Sequence, residues 1–224
     1  MEAFVSARGR SIAITVLVIL QLVTMSLSML AWYVGASQLG DNNMTAAMAA
    51  FGSAAAAGTI NSLLFLAATV VFLTWVHRAI ANLPALGSMS CRFSPSGAVW
   101  SYFIPFVNLV RGHQVMATIW QESQPPAVNE HGFYLPRSAT IVHWWWGLYL
   151  FNGLAGVFTA MSRPFGVDDL RSFASTQVFL QLPHLAAGIL FLLMIRRAQA
   201  RQDEQWQDLE RRRNVPQPSA AALR

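Results

Sequence analysis

Four long runs of apolar residues dominate the chain: Ile12 to Val34, Gly58 to Val76, Ala139 to Met161 and Thr176 to Ile195. Their apolar residues are bunched rather than periodic, so they do not read as one-faced helices of a soluble core. At 1.5 Å per residue, about 20 residues cross a hydrocarbon core of about 30 Å. The pattern therefore predicts an all-α integral membrane protein built on a four-helix transmembrane bundle, with spans at about 12–34, 58–76, 139–161 and 176–195. The first run exceeds the roughly 7–15 residues of a secretory signal core and is expected to stay as an anchor. Trp32, Trp75 and the triplet Trp144-Trp145-Trp146 fall near span ends, where an indole keeps its ring in the acyl boundary and its N–H wet.

Between the second and third runs lies Ala98 to Val110, apolar but far too short to span. Pro105 interrupts it and suits the start of a helix. Residues 98–121 thus predict a short interfacial or re-entrant helix pair, with Ala98 to Phe103 as one piece and Pro105 to Gln121 as the other. On the second, Asn108, Arg111, Gln114 and Thr118 form one polar stripe, and Leu109, Met116 and Trp120 share the opposite face.

Charge orients the bundle. Of the 15 basic residues, all arginine, only Arg163 and Arg171 fall outside the N-terminus, the central segment and the C-terminal tail. The stretch from Gly35 to Ala56 reads as a loop with no basic residue. The positive-inside rule then places both termini and the central segment in the cytoplasm of a bacterial inner membrane. The expected organisation is a cytoplasmic N-terminus at 1–11, one membrane domain at 12–197, and a cytoplasmic tail at 198–224. In that tail Ala198 to Arg213 is helical and Asn214 to Arg224 is disordered. Gln124 to Pro136 reads as a polar loop.

Composition agrees. The chain is 54% hydrophobic and 11% charged, about half the charged share of a soluble domain. Its net charge of +5 also suits nucleic acid, but the arginines sit beside apolar runs, so no nucleic-acid partner is expected. The single cysteine, Cys91, excludes an internal disulfide.

The stretch Phe72-Leu73-Thr74-Trp75-Val76-His77-Arg78-Ala79-Ile80-Ala81-Asn82-Leu83 is followed by Arg92-Phe93-Ser94-Pro95. Then come Phe103-Ile104-Pro105-Phe106-Val107-Asn108-Leu109-Val110-Arg111 and Met116 to Trp120. Together they resemble the signature of a bacterial membrane family, the domain of unknown function 4328 family. The likeness covers about Phe72 to Leu150 and implies a compact multi-span protein. It implies no reaction. At Gly112-His113 the chain departs from the proline and aromatic that the family pattern carries.

Two constellations carry chemistry. Trp75, Arg78 and Asn82 share one helix face, and Asn108, Arg111 and Gln114 share another, with no acidic residue near in sequence. Two guanidiniums without carboxylates suit an anion: an anionic phospholipid headgroup, a phosphorylated ligand or the acidic segment of a membrane partner protein. A homo-oligomer is a further expectation. The plainer alternative is that the asparagines satisfy helix ends while the arginines snorkel. The second set, Asn61, Asn152, Gln181 and His184, lies within the spans. It suits either helix–helix hydrogen bonds or the path of a small transporter or channel for a neutral or anionic solute. The spans hold no Asp or Glu, which argues against cation carriers and proton pumps. The small faces Ala54-Gly58-Ser62 and Gly156-Ala160 suit helix packing, and Asp168 with Asp169 reads as a solvated turn. No metal, cofactor or catalytic group is expected. The chain reads as a non-enzymatic membrane protein.

Overall fold

The computed structural model describes residues 3–88, 91–125, 130–131, 137–162 and 166–214. Most of the loop expected at 124–136, and the tail beyond 214, lie outside these residues. Everything regular in the described residues is helical. The elements are α1 (Arg8–Gly40), α2 (Met44–Asn82), α3 (Pro95–Trp100), α4 (Pro105–Val107), α5 (His113–Glu122), α6 (Thr140–Met161) and α7 (Val167–Asn214). A 3₁₀ turn, Pro84–Leu86, follows α2, and a π-helical turn, Asn108–Gly112, joins α4 to α5.

Three helices, α1, α2 and α7, are long and apolar enough to cross a membrane. Only 11–17% of the residues in each apolar stretch are buried, so those stretches are largely open to their surroundings. Helix α6 matches the expected third span to within a residue and has the length to cross, but it is not among those three. Its three tryptophans, His143, Tyr149 and Asn152 dilute its hydropathy.

The helices outrun the apolar patterns that predict them. The loop expected from Gly35 to Ala56 shrinks to Asp41–Asn43. Alanine is the strongest helix former, and residues 46–57 are rich in it. Asn43 caps the new start by accepting the Ala46 N–H at 3.2 Å. Helix α7 likewise begins at Val167 instead of Thr176. Asp168 and Asp169 therefore sit in its first turn, where carboxylates suit the helix dipole, rather than in a loop. At its other end α7 runs unbroken through Pro183 to Asn214, so the charged tail is helical as expected.

The short central elements follow local signals. Ser94 accepts the Gly97 N–H at 3.1 Å and Pro95 opens α3, which shifts the first piece of the pair from 98–103 to 95–100. Pro105 opens α4, but the π turn interrupts the expected Pro105–Gln121 helix. That turn shifts the helical phase. Met116 and Trp120 are buried, whereas Leu109, expected on their face, is 49% exposed.

Helix α1 packs along both α2 and α7, α6 packs on α7, and α3 packs on α2. The densest core sits at the end where the N-terminal segment, the C-terminal half of α7 and the last turns of α2 meet. There Trp75, Val76, Ile80, Met116, Ile119 and Ile195 are essentially inaccessible. Farther along, two glycines set the spacing of α1. A Cβ on Gly35 would overlap the Phe51 ring, and one on Gly188 would come within 2.7 Å of Leu22. The expected small face of α2 splits instead: Ala54 is buried, while Gly58 and Ser62 are exposed and Gly58 faces open space. Gly156, on the other expected small face, is also open.

Candidate functional site

The first expected cluster divides between the inside and the outside of the arginine-rich end. Trp75 is fully buried, and its Nε1 donates to Gln199 Oε1 on α7 at 3.0 Å. Gln199 passes the connection on, donating to Asp203 at 3.0 Å, and Asp203 accepts the Ser6 hydroxyl at 2.7 Å. Asn82 is also fully buried. It accepts the Val5 N–H at 3.2 Å and donates to the Val5 carbonyl at 3.0 Å. Arg78, half-buried one turn earlier, donates to the Val5 carbonyl through Nε at 3.2 Å and to the Ala3 carbonyl at 3.4 Å. Thus Arg78 and Asn82 converge on the N-terminal segment.

That segment is a strap. Phe4 stacks on Trp206 of α7 with ring centres 5.0 Å apart, and Ala7 is buried. The last turns of α2 and the extension of α7 are further joined by Gln202. This fully buried amide donates to the Ala79 carbonyl at 3.2 Å and to Ser123 Oγ at 3.0 Å. A charged helix that reads as solvated is therefore half a packed surface. Ile195, Ala198, Gln199 and Gln202 repeat at helical spacing and are all buried. The repeat was present in the sequence, but glutamines in an apolar stripe disguise it.

The second stripe runs from the π turn, which holds Asn108 and Arg111, into the first turn of α5 at Gln114. Arg111 and Gln114 are exposed, and no hydrogen bond among the described residues ties either to Arg78, Asn82 or Trp75. Asn108 is half-buried, with its Oδ1 packed 2.6 Å from where a Gly112 Cβ would stand and with no hydrogen-bond partner. Two aromatic donors satisfy the turn's carbonyls. Trp146 Nε1 donates to Leu109 at 3.1 Å and the Tyr102 hydroxyl donates to Gly112 at 3.0 Å. Gly112 is buried, and any Cβ there would lie 2.8 Å from Trp146. Glycine at this departure from the family pattern lets α6 approach the turn.

The turn carries Arg111 at the end of an exposed apolar run. Trp100, Phe103, Ile104, Leu109 and Val110 are all exposed, and Phe106 is 85% exposed. Trp144, at the start of α6, is exposed as well. Neither Arg78 nor Arg111 pairs with a carboxylate among the described residues; ion pairs occur elsewhere, Arg137 with Glu122 and Arg211 with Asp208.

His113 does not join the arginines. Its ring lies 4.8 Å from that of His143 on α6, and its Nε2 is buried without a partner. Burial, and then the charge of His143, hold the His113 imidazole below its ordinary value. His143 Nδ1 donates to the Ala139 carbonyl at 2.7 Å, which fixes its tautomer.

The second expected set behaves unevenly. Thr24 of α1 donates to Asn61 of α2 at 3.2 Å, the helix–helix bond expected of a neutral polar residue. His184 Nδ1 donates to the Leu180 carbonyl in its own helix at 3.1 Å. Asn152 Oδ1 and Gln181 Oε1 are buried and have no partner. Helices α6 and α7 run antiparallel, with Trp145 stacked on Phe191 at 5.5 Å. Seven residues onward from Trp145 and seven back from Phe191 bring Asn152 level with His184. Gly188 against Leu22 brings Thr24, and so Asn61, to nearly the same depth.

No curated protein and no solved structure matches the chain. A family model does match, from residue 38 to residue 200, well beyond the motif region at Phe72 to Leu150. On that match the chain belongs to the family described as Domain of unknown function (DUF4328).

Proposed function

We propose that this protein is a non-enzymatic four-span protein of the bacterial inner membrane whose cytoplasmic boundary engages anionic phospholipid headgroups. In this reading α6 is the fourth span. Its 22 residues reach about 33 Å, and its outer half bares Leu154, Val157 and Phe158. Both termini and the α3–α5 segment lie on the cytoplasmic side, where the arginines gather.

The observation that carries the proposal is the exposed apolar run from Trp100 to Val110 ending in the unpaired guanidinium of Arg111. So many large apolar side chains in one short segment mark a surface made for a membrane. With those side chains in the acyl boundary, Arg111 stands at headgroup level, where a guanidinium binds phosphate in bidentate fashion. Gln114, one turn on, adds a neutral donor. Trp75 and Asn82 shape this end from within, and Asn108 packs the turn that presents Arg111. The test is retention of phosphatidylglycerol in native mass spectra of the Arg111→Gln protein, which should fall.

A second reading, passage of a small neutral solute, is favoured by one observation. Asn61, Asn152, Gln181 and His184 fall near one depth, and two of them hold buried unpaired oxygens. Helix bonding does not account for Asn152 or Gln181. Solute flux into proteoliposomes that Asn152→Leu abolishes would establish this reading; absence of flux would remove it.

A further inference from the structure

A groove of about 500 Å³ opens beside Arg78. Its walls are His77 and Arg78 of α2, Ser94 and Ser96 at the start of α3, and the strap at Ala3 and Val5. Among the described residues, no carboxylate and no Arg111 line it. The groove offers one cation and a set of neutral donors. Among the described residues the exposed Ser96 hydroxyl makes no hydrogen bond, and Ser94 accepts the Gly97 N–H through its own hydroxyl oxygen. A half-buried guanidinium with no carboxylate paired to it among the described residues calls for an oxyanion.

Arg78 is not idle, however. Two of its donors are taken by strap carbonyls, those of Val5 at 3.2 Å and Ala3 at 3.4 Å. A carbonyl dipole satisfies a donor but leaves the charge uncompensated, so an anionic oxygen competes well for the same N–H groups. Nothing in the strap's hold depends on Arg78 alone. Asn82 clamps Val5 from below, Phe4 stacks on Trp206, and Ser6 bonds Asp203.

We propose that this groove is a second, separate oxyanion site, for a phosphate mono- or diester, and that the strap at residues 3–7 gates it by occupying the Arg78 guanidinium. The site is independent of the Arg111 contact. Beyond the Asn82 clamp on Val5, the strap is held on α7 by a stacked ring and a hydroxyl, and a shift of its carbonyls off Arg78 frees the guanidinium for the ligand.

The full-length protein in phosphatidylcholine nanodiscs is titrated calorimetrically with inorganic phosphate and, separately, with dihexanoyl phosphatidylglycerol. Phe4→Ala combined with Ser6→Ala loosens the strap while changing no residue that lines the groove. Affinity should rise several-fold in that variant and fall by roughly five-fold on adding Arg78→Gln, the worth of one basic residue at an anionic surface. Should Arg78→Gln fail to fold, Ser96→Asp places a repelling charge on the opposite wall and should abolish binding. Binding of both probes identifies a soluble phosphate, and binding of the lipid alone identifies a headgroup; either supports the site. No binding of either probe by the loosened protein, or binding indifferent to Arg78→Gln and Ser96→Asp, overturns the site. Equal affinity with the strap intact and loosened overturns the gate.

Discussion

Asn82 and Val5, 77 residues apart, exchange two hydrogen bonds, one in each direction between a side-chain amide and a peptide. Asn82 is fully buried, so leaving either group unpaired is costly: about 1–3 kcal/mol for a buried polar group that loses its partner. Asn82→Leu keeps the branched outline of the side chain and removes both bonds. It should lower the thermal midpoint in detergent and make the first seven residues sensitive to protease. A strap as resistant as before would mean that Phe4 and Ser6 hold it without Asn82.

Glycine spacing separates two faces of the bundle. Gly188→Leu drives a side chain into Leu22 and should destabilise the α1–α7 contact by a few kcal/mol, read as a lower midpoint. Gly58→Leu points into open space and should leave the midpoint nearly unchanged. The reverse order would mean that α2, not α7, carries the close helix contact.

The His113–His143 pair makes the α5–α6 junction sensitive to acid. A histidine whose folded value is lowered binds its proton more readily in the unfolded chain. Its stabilising contribution is complete above the ordinary value of about 6.5 and is lost as pH falls below it. The midpoint should drop between pH 7 and pH 5, and His113→Gln should flatten that drop. A profile that His113→Gln leaves unaltered would place the titration elsewhere.

Cys91 offers a test of sidedness without mutation, being the single cysteine and half-buried beside Phe93. A membrane-impermeant maleimide should miss it in intact cells and label it after lysis. Ser172→Cys, in the first turns of α7, should react in intact cells. Reaction of Cys91 from outside would invert the proposed orientation.

Much of the fold was legible because hydropathy is a long-range signal. Helix α6 begins and ends within a residue of its apolar run, and Pro105 marks the start of α4. Helix ends outside the apolar runs were not legible in that way. Alanines 46–57 carry no hydropathy contrast yet hold α2 together, and Asn43, not a loop, begins it. The candidate site was half legible. Spacing placed Trp75, Arg78 and Asn82 on one face, as they are. It gave no means to foresee that Ala3, Val5 and Gln199, distant in sequence, would accept from all three side chains. The π turn also lies beyond a regular 3.6-residue count, and it alone moves Leu109 off the face of Met116.

The most direct measurement compares phosphatidylglycerol and cardiolipin retained in native mass spectra of the wild-type, Arg111→Gln and Arg196→Gln proteins. Arg196 is exposed on α7, at the end of an apolar run, and serves as the snorkelling control. One basic residue near an anionic surface is worth about 1 kcal/mol, and a bidentate phosphate contact somewhat more. The account predicts that Arg111→Gln lowers retained anionic lipid by roughly five-fold or more, while phosphatidylcholine is unaffected and Arg196→Gln has a smaller effect. Equal losses at Arg111 and Arg196, or no loss at Arg111, would contradict it.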